Sequence, residues 1–166
     1  MKKLLLLDAD VIIDLHILEL FDKIAKAYAV FVTHSVFDEA KSYPKGTRKF
    51  PIEIEKKVTI IDDIDLSCIH KVLLEAKEAR LTIDDGEAMS IAVILDADEE
   101  IYFCTCDKAA IKLISYMGVE HKAMSLENAL RSASHHKNLY PRHFESTFRN
   151  CVREGKALRM QFKKFR

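Results

Sequence analysis

The chain has no tryptophan, and its 166 residues include only four glycines, three prolines and four cysteines. Such low glycine and proline content excludes collagen-like and low-complexity chains. The cysteines are scattered and form no C-x-x-C pair, which excludes a disulfide framework and the usual zinc spacings. No apolar run reaches the ~18 residues of a membrane span. With 49% hydrophobic residues, the sequence predicts one globular domain with a sizeable core.

The first residues resemble the start of a secretory signal, because four leucines follow Met1-Lys2-Lys3. However, Asp8, Asp10 and Asp14 interrupt the apolar region at once, and no small-residue cleavage site follows. We therefore expect this segment to form the first core strand of a cytoplasmic protein that does not enter a membrane.

Charge is unevenly distributed although acidic and basic residues balance at 26 each. Residues 131–166 contain 10 Lys/Arg and 2 Asp/Glu, a net charge of +8, whereas residues 1–130 carry −8. We therefore divide the chain into an acidic domain, residues 1–130, and a basic helical extension, residues 131–166, packed on the same domain. The extension serves either as an electrostatic clamp on the acidic domain or as a surface for a polyanion.

Apolar segments with strand character alternate along the chain with segments of helical periodicity. Strands are predicted at residues 3–8, 28–33, 58–61, 101–106 and 119–123, and a single helix is predicted over residues 11–27. Residues 42–51 lack periodicity and are predicted to form an exposed loop. This alternation predicts an α/β fold, a three-layer α/β/α sandwich with a mainly parallel central sheet.

Acidic residues fall at the carboxyl ends of the predicted strands, where sites form in parallel sheets. Asp8 and Asp107 each end a strand, and Glu39 lies about one turn into the helix after the second strand. Asp85 and Glu87 lie at the start of another helix, where capping and the helix dipole also account for acidic residues. Carboxylates that share one edge repel one another, and a divalent cation would remove that cost.

The order and spacing of these acids resemble the four motifs of the PIN-domain family of metal-dependent ribonucleases, in its GEA-motif variety. The similar segments are residues 5–13 (LLLDADVII), 36–40 (VFDEA), 85–92 (DGEAMSIA) and 104–107 (CTCD). Together they cover residues 3 to about 123. The resemblance implies a PIN-like nuclease domain.

This resemblance also implies an endoribonuclease that uses Mg²⁺ or Mn²⁺ to hydrolyse RNA phosphodiester bonds. The implied catalytic residues and metal ligands are Asp8, Glu39, Glu87 and Asp107, with Asp85 as a further candidate ligand. Asp10 and Thr105 are expected to support the metal shell. Asp85 and Glu87 lie about 200° apart on a helix, so both bind metal only if the helix begins between them. Of the two we favour Glu87.

The basic extension is predicted to be either a solvated pair of amphipathic helices or a site for RNA phosphates. The phosphate-binding candidates are Arg142, Arg149, Arg153, Lys163, Lys164 and Arg166. An antitoxin-like protein and a second copy of the chain, forming a homodimer, are candidate partners besides the RNA substrate.

Two other functions are consistent with the sequence. Asp8-Ala9-Asp10-Val11 also resembles the opening of haloacid-dehalogenase-like phosphatases, in which the first aspartate is a covalent nucleophile. That interpretation leaves Asp107 without a role. The chain is also consistent with the toxin of a toxin–antitoxin pair or with a catalytically silent PIN-like scaffold, because family membership does not establish turnover.

Overall fold

A computed structural model describes residues 1–163 of the chain. These residues form a central five-stranded sheet and a separate two-stranded hairpin. The strands are β1 (Leu4–Leu7), β2 (Ala29–Thr33), β3 (Ser42–Lys45), β4 (Arg48–Pro51), β5 (Thr59–Ile61), β6 (Ile101–Cys104) and β7 (Ala123–Met124). The central sheet has the order β5-β2-β1-β6-β7, and every neighbouring pair in it is parallel.

Helices connect the strands and cover both faces of the sheet. They are α1 (Ala9–Ile17), α2 (Phe21–Ala27), α3 (His34–Glu39), α4 (Leu66–Glu78), α5 (Asp85–Asp96), α6 (Lys108–Tyr116), α7 (Leu126–Ser132) and α8 (Glu145–Lys163). Leu5 and Leu7 pack toward α1, α2 and α7, whereas Leu6 packs toward α4, α5 and α6. Alternate side chains of a strand point to opposite faces, so one short strand supplies two cores. The predicted three-layer sandwich is confirmed.

Two local predictions were wrong. The helix expected over residues 11–27 is two helices, because the chain turns at Glu19, whose φ is +58°, and Leu20 donates its amide to the carbonyl of Leu15 at 2.7 Å. Residues 42–51 are not an irregular loop but the exposed hairpin of β3 and β4, turned at Gly46 with φ +63°. Four-residue strands containing Pro44 and Pro51 are too short and too irregular to show a clear period of two.

The ends of two predicted strands also differ. The strand expected over residues 101–106 ends at Cys104. In place of a strand over residues 119–123, a short 3-10 helix, Glu120–Lys122, precedes the two-residue strand β7. Both differences lie at strand ends, where the apolar pattern alone does not mark the last ladder hydrogen bond.

The basic extension packs on the domain through α8, which lies mainly against α6. Ser115 donates its hydroxyl hydrogen bond to the carbonyl of Val152 at 2.6 Å across this interface. Gly155 lies at the closest approach, because a Cβ atom there would be 2.3 Å from the carbonyl oxygen of Lys112. In residues 1–163, no helix combines the length and the apolar character needed to cross a bilayer.

Candidate metal centre

Asp8 lies at the carboxyl end of β1, and hydrogen bonds fix both of its carboxylate oxygens. It caps α1, with Oδ1 accepting from the amide of Ala9 at 2.9 Å. Oδ2 accepts from the hydroxyl of Thr105 at 2.7 Å, just beyond the neighbouring strand β6. The carboxylate is thus held in one orientation at the edge between two central strands.

Thr105 also connects Asp8 to Asp107. Its Oγ1 accepts from the amide of Asp107 at 3.1 Å, and Asp107 caps α6 by accepting from the amide of Ala110 at 2.8 Å. The structure therefore brings Asp107 to the same sheet edge as Asp8, and Thr105 has the supporting contact expected of it.

The start of α5 is a capping box made by Asp84 and Glu87. Asp84 Oδ1 accepts from the amide of Glu87 at 2.8 Å, and Glu87 Oε2 accepts from the amide of Asp84 at 2.9 Å. Since α5 begins at Asp85, the helix does not begin between Asp85 and Glu87, and their side chains diverge. Glu87 is buried, whereas Asp84 and Asp85 are both exposed.

Glu39, the last residue of α3, lies beside the start of α5. A Cβ atom at Gly86 would be 3.8 Å from Glu39 Oε2 and 3.4 Å from Asp84 Oδ1. Both distances are ordinary van der Waals contacts, and they show that α3 and α5 approach each other closely at Gly86. This approach brings Glu39 to Asp84.

The acids are electrostatically coupled. Burial, with smaller contributions from the charges of Asp10 and Asp84, raises the pKa of Asp8 to about 6. Burial is also the largest cause that raises the pKa of Glu87 to about 8, and the charges of Asp107, Asp84 and Asp8 add to it. The pKa of Glu39 is raised by burial and then by Asp84 and Asp10. A neighbouring negative charge disfavours the ionised form of a carboxyl group and so raises its pKa.

We define the edge cluster as Asp8, Glu39, Asp84, Glu87 and Asp107. Within residues 1–163, no Lys, Arg or His nitrogen lies within 4.0 Å of a carboxylate oxygen of these five. Clustered carboxylates without a basic partner are the hard oxygen donors that Mg²⁺ and Mn²⁺ prefer. The donor chemistry of the edge cluster therefore fits either ion.

The carboxylate oxygens of the edge cluster are, however, farther apart than the ligand atoms of a bound ion: within residues 1–163, no three of them lie within 4.8 Å of one another. In the described part of the chain, only one group of three potential ligand atoms lies within 4.8 Å of one another, and it is a different one. That group comprises Asp65, Cys68 and Asp96, of which the two aspartates are exposed. Asp65 already caps α4 by accepting from the amide of Ser67 at 2.8 Å.

The predicted phosphate-binding residues of the extension lie in several different environments. Arg142 pairs with Asp14 and Asp10, and exposed Arg149 pairs with Glu145 at 3.1 Å. Exposed Arg153 donates to Asn150 at 2.5 Å. Lys163 pairs with Glu75 at 2.5 Å and lies 4.6 Å from the centre of the Tyr116 ring. Lys164 and Arg166 lie outside the described residues.

Two residues of this region were not singled out from the sequence. Asp84 is one. The sequence does contain a pattern that indicates it, because an aspartate three residues before a glutamate is typical of a capping box. Asp14 is the other. It is buried, and its partners Arg142 and His143 are more than 120 positions away, so nothing local in the sequence marks it.

Comparisons with protein-family models, with curated proteins and with solved structures return no match to this chain.

Proposed function

We propose that the chain is a metal-dependent endoribonuclease that hydrolyses RNA at the edge cluster with Mg²⁺ or Mn²⁺. The observation that carries this proposal is a cluster of five carboxylates at the carboxyl ends of adjacent parallel strands, none of which has a basic partner within residues 1–163. Two of the five, Asp8 and Glu87, are buried, and burying mutually repelling carboxylates is costly unless a cation offsets the charge. The motif order described above supports RNA as the substrate.

The residues of the edge cluster would supply the oxygen ligands of the cation. Asp8, with each oxygen held by one hydrogen bond, retains further lone pairs that a cation could use, and Thr105 holds its orientation. Glu87, Asp84, Glu39 and Asp107 would complete the oxygen donors. A bound divalent cation would lower the pKa of an attacking water and offset the negative charge of the phosphate and of the leaving oxygen.

A proton on Glu87 competes with a bound cation for this site. Because the pKa of Glu87 is about 8, this side chain holds a proton near neutral pH, which relieves repulsion in the empty cluster. Cation binding requires the carboxylates to be deprotonated, so binding should release protons. Proton release on adding Mg²⁺ is therefore a binding signal that does not depend on turnover.

The phosphatase alternative is less well supported. In that interpretation Asp8 attacks phosphorus as a nucleophile and Asp107 has no role. Here Asp107 acts on the pKa of Glu87 and shares Thr105 with Asp8, so both belong to one cluster. A cluster of this kind is more typical of ligands than of a single nucleophile.

The test is cleavage of a single-stranded and a structured RNA with Mn²⁺ or Mg²⁺, with EDTA, and with two variants. Asp8→Asn should lose activity, because a neutral amide is a weaker cation ligand. Asp98→Asn is the matched control, since Asp98 is exposed and precedes the opposite end of β6. Cleavage that persists in EDTA or in Asp8→Asn would contradict the proposal. Hydrolysis of a generic phosphomonoester without RNA cleavage would favour the phosphatase.

A further inference from the structure

The hairpin of β3 and β4 places aromatic rings in a row that ends at the surface. The ring of His16, on α1, lies 5.5 Å from the ring of Tyr43, and Tyr43 lies 5.8 Å from Phe50, centre to centre. Tyr43 and Phe50 are directly opposite each other in the antiparallel pair. His16 also stacks on Phe21 at 4.7 Å, so the inner end of the row is anchored in the core.

Phe50 is the outer end of this row. Its side chain is partly exposed, and all four residues of β4 are exposed. Its ring is inclined 29° to that of Tyr43, close to parallel, and the residue is 39% exposed, so part of the ring is accessible to another planar group. A large apolar ring held at the surface by a stacked neighbour is a preorganised contact and loses little entropy on binding.

The charge of the hairpin has one sign. Residues 40–52 contain Lys41, Lys45, Arg48 and Lys49 and no acidic residue. Lys45 pairs with Glu19 at 3.2 Å and Lys41 with Asp38 at 3.4 Å. Arg48 lies two positions from Phe50, on the same face of the strand, and directly opposite Lys45.

The hairpin begins next to the edge cluster. Glu39 ends α3, Lys41 donates its amide to the carbonyl of Glu39 at 3.0 Å, and Ile52 donates to the carbonyl of Lys41 at 2.9 Å. Tyr43 is four residues from Glu39, a separation of at most about 14 Å along the chain. A strand of nucleic acid that contacts Phe50 can therefore extend to the edge cluster.

We propose that Phe50 and Arg48 form a binding site for single-stranded RNA, with one base stacked on Phe50 and an adjacent phosphate on Arg48. Base–aromatic stacking beside a positively charged groove is how single strands are held without sequence readout. The inference rests on the proposed ribonuclease function and adds to it that the substrate is unpaired at this point. It also assigns part of the RNA binding to the hairpin, whereas the charge of the sequence predicted RNA binding by the basic extension.

The absence of tryptophan gives a direct test. The Phe50→Trp variant contains one tryptophan, and stacking of a base on it should quench its emission when a 12-nucleotide oligouridine is added in EDTA. Leu66→Trp is the control, because Leu66 is 79% exposed on α4, outside the hairpin. Its emission should not change. Phe50→Trp should also bind the oligonucleotide about as tightly as the wild type.

Two truncating variants complete the experiment. Phe50→Ala should weaken oligouridine binding roughly 5- to 150-fold, the effect of losing one base–aromatic stack. Leu66→Ala should leave it unchanged. Arg48→Gln should flatten the plot of log affinity against log salt by about 0.7, and Lys71→Gln, exposed on α4, should not. Circular dichroism of Phe50→Ala checks that the fold persists.

The inference would be overturned if the emission of Phe50→Trp were unquenched and Phe50→Ala bound with wild-type affinity. Phe50 would then either contact a protein partner or serve only to anchor the hairpin. The outcome of this binding test does not depend on the outcome of the cleavage test. Binding is measured in EDTA, so Asp8→Asn should keep oligouridine affinity while losing cleavage. If Asp8→Asn still cleaves but Phe50→Ala binds weakly, the ribonuclease proposal fails and the RNA site stands.

Discussion

Arg142 donates two hydrogen bonds to a single carboxylate oxygen of Asp14, at 2.9 and 2.5 Å, across 128 positions of sequence. His143 Nε2 lies 2.6 Å from the same oxygen, and the side chain of His143 is fully buried. Arg142 also lies 3.8 Å from Asp10, beside the edge cluster. The first part of the basic extension is thereby fastened to α1, which favours the clamp over phosphate binding as the role of Arg142.

Loss of this contact should cost stability. Asp14→Ala removes the acceptor of buried His143 and the closer of the two acidic partners of Arg142, so we expect the free energy of unfolding to fall by about 3 kcal/mol. Arg149→Gln breaks an exposed pair on α8 and should cost about 0.5 kcal/mol or less. Urea denaturation compares the two. Equal effects would show that the Asp14 contact adds nothing beyond a surface pair.

Divalent cations should stabilise the protein. At a Mg²⁺ or Mn²⁺ concentration 100 times the dissociation constant, the expected gain is about 2.7 kcal/mol, seen as a higher melting temperature. Asp8→Asn should melt higher than the wild type in EDTA, because it relieves repulsion, and should gain little from the cation. A wild-type melting temperature that does not respond to either ion would argue against a metal site at the edge cluster.

The two adjacent aspartates at the start of α5, Asp84 and Asp85, can be compared directly. Asp84→Asn should weaken cation binding roughly 10-fold or more, since Asp84 acts on Asp8, Glu39 and Glu87. Asparagine caps a helix as well as aspartate does, so α5 should remain intact. Asp85→Asn, at the neighbouring position outside the capping box, should bind as the wild type does. Titration calorimetry with Mn²⁺ makes the comparison, and the opposite ranking would restore Asp85 as the ligand.

The metal-free protein should lose stability as pH rises. Folding raises the pKa of Asp8 to about 6 and of Glu87 to about 8, above their unfolded values of 3.8 and 4.5. The folded state then binds more protons, so this contribution is complete below the unfolded values and is lost as pH rises through about 6 and about 8. Each group contributes a slope of about −1.4 kcal/mol per pH unit between its two values.

Glu87→Gln isolates one of these groups. It removes the Glu87 titration while preserving the capping box, which accepts Gln at this position. Urea denaturation in EDTA between pH 5.5 and 8.5 should give a shallower decline for the variant than for the wild type. Parallel curves would mean that Glu87 titrates near its ordinary pKa in the folded protein.

The crossing of α6 and α8 requires a glycine. Gly155→Ala should gain about 1 kcal/mol in helix propensity, yet its Cβ would lie 2.3 Å from a backbone carbonyl oxygen of Lys112, which cannot rotate away. We expect a net loss on the order of 1–3 kcal/mol. Arg153→Ala, exposed on the same helix, is the control and should stay within about 0.5 kcal/mol. A stabilised Gly155→Ala protein would show that α8 can move away from α6.

The placement of most of the acidic residues at one sheet edge follows from local patterns in the sequence. Asp8 could be placed at the end of β1, and Asp107 shortly after β6, because a run of apolar residues followed by an acid marks where a buried strand meets the site edge of a parallel sheet. Glu39 and Glu87 could be assigned because their positions within helices follow from the helix starts. The three-layer fold followed from the alternation of strand and helix signals, which is set by the chain's own hydrophobic periodicity.

Only the tertiary structure decided the contacts that depend on distant residues or on an exact boundary. The charge of Asp84 acts on Asp8, Glu39 and Glu87 because the first residue of α5 sets which side chains lie toward the cluster, and a shift of one position rotates a side chain by about 100°. Arg142 meets Asp14 because α1 and the extension pack together. Tyr43 faces Phe50 because cross-strand register, which no local period encodes, aligns two very short strands.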